Sequence, residues 1–418
     1  MTSIEMQVDV AELERKYEAL ANVKVFDDNV RKGVDTILAT MPNPDKQHSP
    51  EEKVRLYVLR CKALLLLPSY SKDSERCCSA ALKLRNDRPD LWVLLSECFT
   101  QRGATKEACE ALDNALRLDS RNEKALSQYS QVLRIRSADS KLPLQESRKY
   151  LSEAVLRAKE AVAVSPASAS CWHLYGIALL SEALSNGMNV EGAQRSLKAL
   201  EQASRIEPRD PDVCYNKGAV EGVLGYFGSA SCDLLTALEE DPHRLKGARK
   251  QLEDYLSIIR RAISMTESMQ RTGKKAFTSL VTKLAKHVDS MTLREALERE
   301  TSSLCKVSVG VVDVLSETTM EPMVVLSVDR VGEFCLLLFH GIRRGTFKMR
   351  DAVVTLTVPK SNPVRVTHEV PAIPFLDTSA YSCSYVQVIV DVDSTIVNGA
   401  PISSQMRVPP QVSTRLFI

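Results

Sequence analysis

Two stretches of this chain repeat the same small and bulky residues at the same offsets, and that periodicity constrains the fold more than any other feature. One stretch has Trp92, Leu95, Ser96, Phe99, Ala108, Leu112 and Ala115; the other has Cys214 at the tryptophan position, then Gly218, Ala230, Leu234, Ala237 and Pro242. The small residues mark where two antiparallel helices must cross closely, and the bulky ones fill gaps between successive pairs. A helix pair of this kind cannot bury its apolar face alone, so its copies stack into a solenoid. Pro208 and Pro242 stand one such unit apart.

The spacing is that of the tetratricopeptide (TPR) repeat, which presents a concave groove for peptides and rarely performs chemistry. Around the two clear copies lie degenerate ones. Val54 to Leu67 and Ser74 to Leu84 form a first pair, with Ala81 at the close crossing. Ser49-Pro50-Glu51-Glu52 starts it, with serine as cap and proline in the first turn. Leu126, Ser130 and Leu133 open a third unit, interrupted by Ser137 to Pro143; Trp172, Gly176 and Leu179 open a fourth, interrupted around Ser185 to Asn189. Val10 to about Thr40 is helical by spacing, Arg249 to about Gln270 reads as a capping helix, and another helix runs from Ala276 to about Glu300.

From Lys306 onward the pattern changes from helical spacing to alternation and short apolar runs: Val307, Val309 and Val311, Val324 to Val328, Phe334 to Phe339, Val353 to Val358, Val364 to Val366 and Tyr385 to Val392, with a tight turn at Asn398-Gly399. Five to seven short strands predict a small closed barrel or a sandwich, with an OB-like barrel as the favoured form. The expected fold class is therefore α+β: an N-terminal helical segment over residues 1–48, a TPR solenoid with capping and basic connector helices over 49–300, and an OB-like β-barrel over 301–418.

Composition excludes some classes. The formal net charge is only +2, so local clusters must select partners. Residues 1–10 lack the basic-then-apolar pattern of a signal peptide, and the apolar runs at 63–67 and 335–339 are too short to span a bilayer. Eleven cysteines without a Cys-x-x-Cys pair fit reduced, buried thiols in the cytoplasm or nucleus; the adjacent Cys77 and Cys78 read as small packing residues rather than a redox pair. No Gly-rich phosphate loop, His-Glu-x-x-His, Gly-x-Ser-x-Gly or paired metal spacing occurs, and Asp391-Val-Asp393 reads as solvated. A non-enzymatic adaptor without metal or cofactor is expected.

In a TPR unit the first helix lines the groove, chiefly through its second, fifth, sixth, ninth, twelfth and thirteenth positions. Counting from Leu126 places Lys124, Gln128, Gln131 and Arg134 inward; counting from Cys214 does the same for Asp212, Tyr215 and Asn216; His173 is inward in the Trp172 unit. An arginine and an aspartate suit a peptide with adjacent opposite charges, since the planar guanidinium forms two parallel bonds to a carboxylate. The competing reading leaves Arg134 and Asp212 solvated or paired within the solenoid. Asn216 could hold a ligand amide or merely hydrate the groove, and His173 has no second metal ligand spaced to join it. Between His243 and Ser290 there are eleven Lys/Arg against four Asp/Glu, densest at Arg271, Lys274 and Lys275 beside Gly273. A basic loop there could dock on phosphate backbone, or simply be solvated. In the C-terminal domain Phe334, Phe339 and Phe347 sit in apolar runs like core residues, while Arg343, Arg344, Lys348 and Arg350 supply some positive charge. A structural or protein-docking role for this domain is favoured over RNA contact.

Irregular TPR units with long insertions, a basic connector and a β-rich end resemble the tetratricopeptide repeat protein 5 (Strap) family. Supporting strings are Ser130-Gln-Val-Leu-Arg134, Ser170-Cys-Trp-His-Leu-Tyr-Gly176, Pro211-Asp-Val-Cys-Tyr-Asn216, Gly273-Lys-Lys275 and Val397-Asn-Gly-Ala-Pro401, spread over about Val54 to Pro401. The resemblance implies a groove that reads the nascent tubulin N-terminus, Met-Arg-Glu plus an apolar residue, at the ribosome and triggers decay of the tubulin message. It also implies that Arg134 and Asp212 match the family's peptide-reading pair, and that Lys274 and Lys275 match lysines contacting ribosomal RNA beside the exit tunnel. A downstream adaptor and deadenylase complex are the implied partners, in the cytoplasm and without a membrane. Lys246 departs from the family, which has an acidic residue there. The alternative is a nuclear TPR scaffold in stress transcription. A clamp for C-terminal Glu-Glu-Val-Asp peptides is disfavoured, because it needs several groove Lys/Arg and this groove has mixed charge.

Overall fold

The computed structural model describes residues 10–23, 28–44, 48–185, 187–242, 245–271, 274–287, 289–300, 303–316, 322–342, 352–359, 361–376, 378–403 and 406–407. The chain divides into two compact units, Met1–Ala178 and Leu179–Ile418. The division falls inside helix α9 (Ala169–Ser185).

The first unit opens with α1 (Val10–Ala21) and α2 (Asp28–Thr40), followed by three helix pairs: α3 (Pro50–Leu65) with α4 (Lys72–Leu84), α5 (Pro89–Gln101) with α6 (Thr105–Leu118), and α7 (Glu123–Ser137) with α8 (Leu144–Val164). Helix α3 starts as its sequence dictates. The Ser49 side chain accepts from the Glu52 N–H, Glu52 returns the bond to the Ser49 N–H, and Pro50 occupies the first turn. Ser96, Ala108 and Ala115 are buried where α5 crosses α6, and Cys77 and Cys78 pack in the core between the first two pairs. The extra residues after Ser137 form the α7–α8 connection. Helices α1 and α2 pack Leu13, Val34 and Ile37 against Leu56, Leu59 and Ala63 of α3.

In the second unit the end of α9 packs on α10 (Val190–Ile206) through Leu180, Leu184, Ala193 and Leu200. Helices α11 (Pro211–Leu224) and α12 (Phe227–Glu240) form the next pair, and α13 (Lys246–Arg271) follows. A Cβ on Gly218 would stand 3.1 Å from both the Ala230 carbonyl oxygen and Leu234 Cγ, which is why this position of the repeat is small. Where one helix was expected from Ala276 to Glu300 there are two, α14 (Lys274–Leu284) and α15 (Leu293–Glu298). The cause is local: Met291 bridges to Val307, and Thr292 starts a fresh helix through a capping box with Glu295.

The remaining strands form a single eight-stranded sheet: β1 (Cys305–Val314), β2 (Met323–Val328), β3 (Phe334–Phe339), β4 (Val353–Val358), β5 (Val364–Val370), β6 (Tyr381–Val390), β7 (Ile396–Val397) and β8 (Ala400–Pro401), in the order β5-β6-β3-β2-β1-β4-β7-β8. All neighbours are antiparallel except β3 with β6. Among the described residues the two ends of this order, β5 and β8, do not pair, so the sheet is open and the expected closed barrel is not found. Strand β4 pairs with β1 and β7, while β5 pairs with β6. Asn398 and Gly399, both with positive φ, make the turn between β7 and β8.

Strands β2 and β3 are buried on both faces, which explains their unbroken apolar runs. Val325, Cys335, Leu337 and Phe339 point into one core with Leu293 and Ala296 of α15. Val324, Leu326, Leu336 and Leu338 point into another, filled from α12, α13 and α14 by Phe227, Leu252, Tyr255, Ile259 and Leu280. Each fully buried side chain of this size contributes about 1.5–3 kcal/mol. A polar clasp joins the repeat to the sheet: Gln387 donates to the Gly225 carbonyl at 2.7 Å and meets His368 Nε2 at 3.0 Å. His368 is fully buried against the Phe227 ring, and desolvation pulls its pKa down to about 4.

The backbone of α12 approaches β5 so closely that a Cβ on Gly228 would stand 2.7 Å from the Glu369 nitrogen and 2.9 Å from His368 Cα. Gly228→Ala is expected to destabilise the second unit by about 1–3 kcal/mol, read as a lower midpoint in chemical unfolding followed by circular dichroism. An unchanged midpoint would contradict this contact.

Candidate functional site

The third helix pair carries a buried charge that has no partner among the described residues. Helix α7 is capped by Asn122, whose side chain accepts from the Ala125 N–H, and one face carries Gln131 and Arg134 one turn apart. Arg134 is only 8 % exposed, and its Nε is buried with no hydrogen-bond partner. Among the described residues no carboxylate pairs with it, and desolvation alone pulls its pKa down to about 10. The last turn of α7 offers the negative end of the helix dipole, a partial offset worth about 0.3–1 kcal/mol. Two residues on, Arg136 lies over the Tyr150 ring at 4.5 Å. Leaving a guanidinium buried without an anion is costly.

Neighbouring groove positions are already engaged. Gln128 accepts from Ser96 at 2.9 Å and donates to Glu97, while Lys124 pairs with Glu97 at 3.3 Å. Glu97 is a groove residue that the sequence patterns above did not single out, although counting from Trp92 places it at the ninth position of its repeat. Gln131, half-buried, makes no side-chain hydrogen bond among the described residues. His173 is half-buried and has an interaction of its own. The groove face of the first repeat is closed, since Leu56, Leu59 and Ala63 occupy groove positions and are covered by α1 and α2.

In the second unit, Asp210 caps α11 by accepting from the N–H groups of Asp212 and Val213. Asp212 is half-buried in the first turn, and Asn216 is buried one turn later with its amide donating to the Asp212 carbonyl at 2.9 Å. Part of Asn216's donor capacity is therefore spent on its own helix. Lys217 pairs with Asp233 at 2.9 Å beside the buried Glu221, whose pKa burial and the Asp233 charge push up to about 9. Arg134 belongs to the first unit and Asp212 to the second.

The basic segment proves to be part of the sheet's cover rather than a free connector. Arg261 donates to the carbonyls of Leu315 at 2.9 Å and Val314 at 3.2 Å, Arg260 donates to Thr378, and Arg271 pairs with Glu267 at 3.2 Å. Gly273 lies outside the described residues, as do the side chains of Lys246 and Lys274. Lys274 and Lys275, expected in a loop, instead form the first turn of α14. That placement sets basic residues at the positive end of the helix dipole, an arrangement that disfavours the free helix and attracts phosphate. On α14, Phe277 stacks on Phe334 at 5.9 Å and Leu280 is buried against the sheet. The other face presents Lys275, Thr278, Thr282, Lys283 and Lys286 around an open cavity of about 520 Å³.

The sheet has no exposed stacking platform among its described residues. Phe334 and Phe339 are core residues as expected, and helices cover the β2–β3 face. Phe347, Arg343, Arg344, Lys348 and Arg350 lie outside the described residues. Asp391 and Asp393 are exposed, follow β6 rather than lying on it, and bond to Ser394 and Arg407 respectively. Among the described residues, no cluster of His, Cys, Asp or Glu could hold a metal, and no helix is long and apolar enough to cross a membrane.

Known proteins share part of this pattern. The chain is distantly similar to tetratricopeptide repeat protein 5. It is 27% identical to the human protein and 26% to the mouse protein over 236 residues, which are 56% of this chain and 52% of each relative. The chain thus matches about half the length of these curated relatives. No family model matches it. Among solved structures, a thermophilic TPR protein of Thermus thermophilus aligns with a TM-score of 0.39 at 19% identity, over 50% of this chain and 99% of its own. A human IFIT1 dimer aligns with a TM-score of 0.42 at 14% identity, over 68% and 65%. The repeat assignment rests on the helix pairs themselves.

A charge buried without a partner should weaken the ligand-free protein. Arg134→Met keeps the aliphatic volume and removes the charge, and is expected to raise the unfolding free energy by about 1–3 kcal/mol. A drop in thermal midpoint would instead make Arg134 a structural residue.

Proposed function

We propose that this protein is a TPR adaptor that binds the nascent Met-Arg-Glu-type N-terminus of tubulin at the ribosome and promotes decay of the message being translated. The observation carrying this reading is the buried, uncompensated guanidinium of Arg134 at a groove position. A ligand carboxylate would remove the desolvation cost by forming two parallel charge-assisted bonds, and the free Gln131 would accept or donate to the adjoining peptide backbone. Asp212 would take the ligand arginine, with Asn216 and His173 as further groove contacts. The similarity to tetratricopeptide repeat protein 5 supports the choice of ligand. Docking on ribosomal RNA through Arg271, Lys274 and Lys275 would hold the groove near the emerging peptide, so a weak peptide site suffices at high local concentration. Message decay would be carried out by a downstream adaptor and deadenylase complex.

Peptides beginning Met-Arg-Glu are expected to bind the full chain in isothermal titration. Arg134→Glu should weaken them about a hundredfold or more, and Asp212→Ala should weaken them as well. Absence of any binding to the unmodified protein would end the tubulin reading and favour a nuclear scaffold.

Ribosome docking is checked separately. In co-sedimentation, Lys274→Glu with Lys275→Glu should release the protein at moderate salt, because each lost phosphate contact lowers both affinity and its salt dependence. Pelleting identical to the unmodified protein would remove the docking role.

A further inference from the structure

The second helices of the second and third repeats, α6 and α8, face a cavity of their own. Helices α6 and α8 and the start of α7 enclose an open cavity of about 800 Å³, within the size range of ligand sites. Its floor is apolar, with Leu116, Leu126 and Val164. Its two carboxylates are already committed: Asp113 accepts from the Tyr129 hydroxyl at 2.9 Å, and Glu160 pairs with Arg157 at 3.1 Å. Arg157 is itself held, paired also with Glu153 at 2.7 Å and lying 5.2 Å over the Tyr129 ring.

Two further arginines stand on the rim. Arg117 and Arg121 are exposed, and among the described residues no hydrogen bond, ion pair or ring contact reaches either guanidinium. Elsewhere in this unit Arg55, Arg60, Arg85, Arg88 and Arg102 are all ion-paired. Every uncommitted charge lining the cavity is therefore positive, above an apolar floor. The charge of the pocket is complementary to carboxylates, and the floor to a branched aliphatic side chain.

From this juxtaposition we infer a second docking site, on the α6–α8 face, for an acidic segment of a partner protein that carries aliphatic residues between its carboxylates. The aliphatic side chain seats on Leu116 and Val164, and the flanking carboxylates meet Arg117 and Arg121. An adaptor with this site holds one partner in its groove and a second on its outer face at the same time.

The test uses the full chain and fluorescein-labelled synthetic peptides of alternating Glu and Leu, with Glu–Ser and Lys–Leu peptides of equal length as controls. Anisotropy should show saturable binding of the Glu–Leu peptide alone. Arg117→Glu with Arg121→Glu should weaken it about tenfold or more, while Arg134→Glu leaves it unchanged. Both rim residues are exposed, so the double variant is expected to fold, and its affinity for a Met-Arg-Glu peptide should match the unmodified protein, which separates this site from the groove. No binding of the Glu–Leu peptide, equal binding of the Glu–Ser peptide, or binding indifferent to the double substitution would each overturn the inference.

Discussion

The close crossing of paired helices is the constraint on which the other features of this molecule depend. At Gly218 the space for a side chain is already filled by the Ala230 carbonyl and Leu234, and Ser96, Ala108 and Ala115 play equivalent parts in an earlier pair. Tight packing fixes which face of each first helix is turned to its partner and which is left over. The left-over face carries Gln128, Gln131 and Arg134 in the third repeat. In the first repeat the corresponding face is apolar and covered by α1 and α2. The same geometry leaves the second helices side by side, creating the α6–α8 cavity.

Against this well-satisfied background Arg134 is a local conflict. Most arginines of the first unit find a carboxylate or a ring, and the neighbouring Lys124 and Gln128 converge on Glu97. A buried guanidinium lacking that compensation lowers stability while the groove is empty. Natural chains concentrate such violations at functional positions, where binding supplies the missing interaction. A carboxylate ligand is the simplest group that would do so.

The second unit shows how a repeat can be fused to a sheet rather than tethered to it. Helices α12, α13 and α14 supply one of the two cores that enclose β2 and β3, and Gln387 reaches back to the end of α11. Arginines 260 and 261 are consumed in holding α13 to the sheet. Among the described residues the unpaired positive charge of this segment is thus narrower than the sequence count implies, and Lys275, Lys283 and Lys286 of it line one cavity beside α14.

The sequence by itself determined the helix pairs, the capping at Ser49, the inserted connections and the switch to strands near Cys305, because each is a local matter of spacing and turn chemistry. Counting within a repeat also singled out Arg134 and Asp212 as candidate groove residues. Tertiary structure alone decided the rest. Sheet closure depends on which distant strands pair, so alternation could not tell an open sheet from a barrel. Whether Arg134 would find a partner, whether Lys124 would be spent on Glu97, and how much basic charge would remain free all turn on residues far apart in the chain. Burial and pairing are properties of the packed molecule, and local spacing carries no information about them.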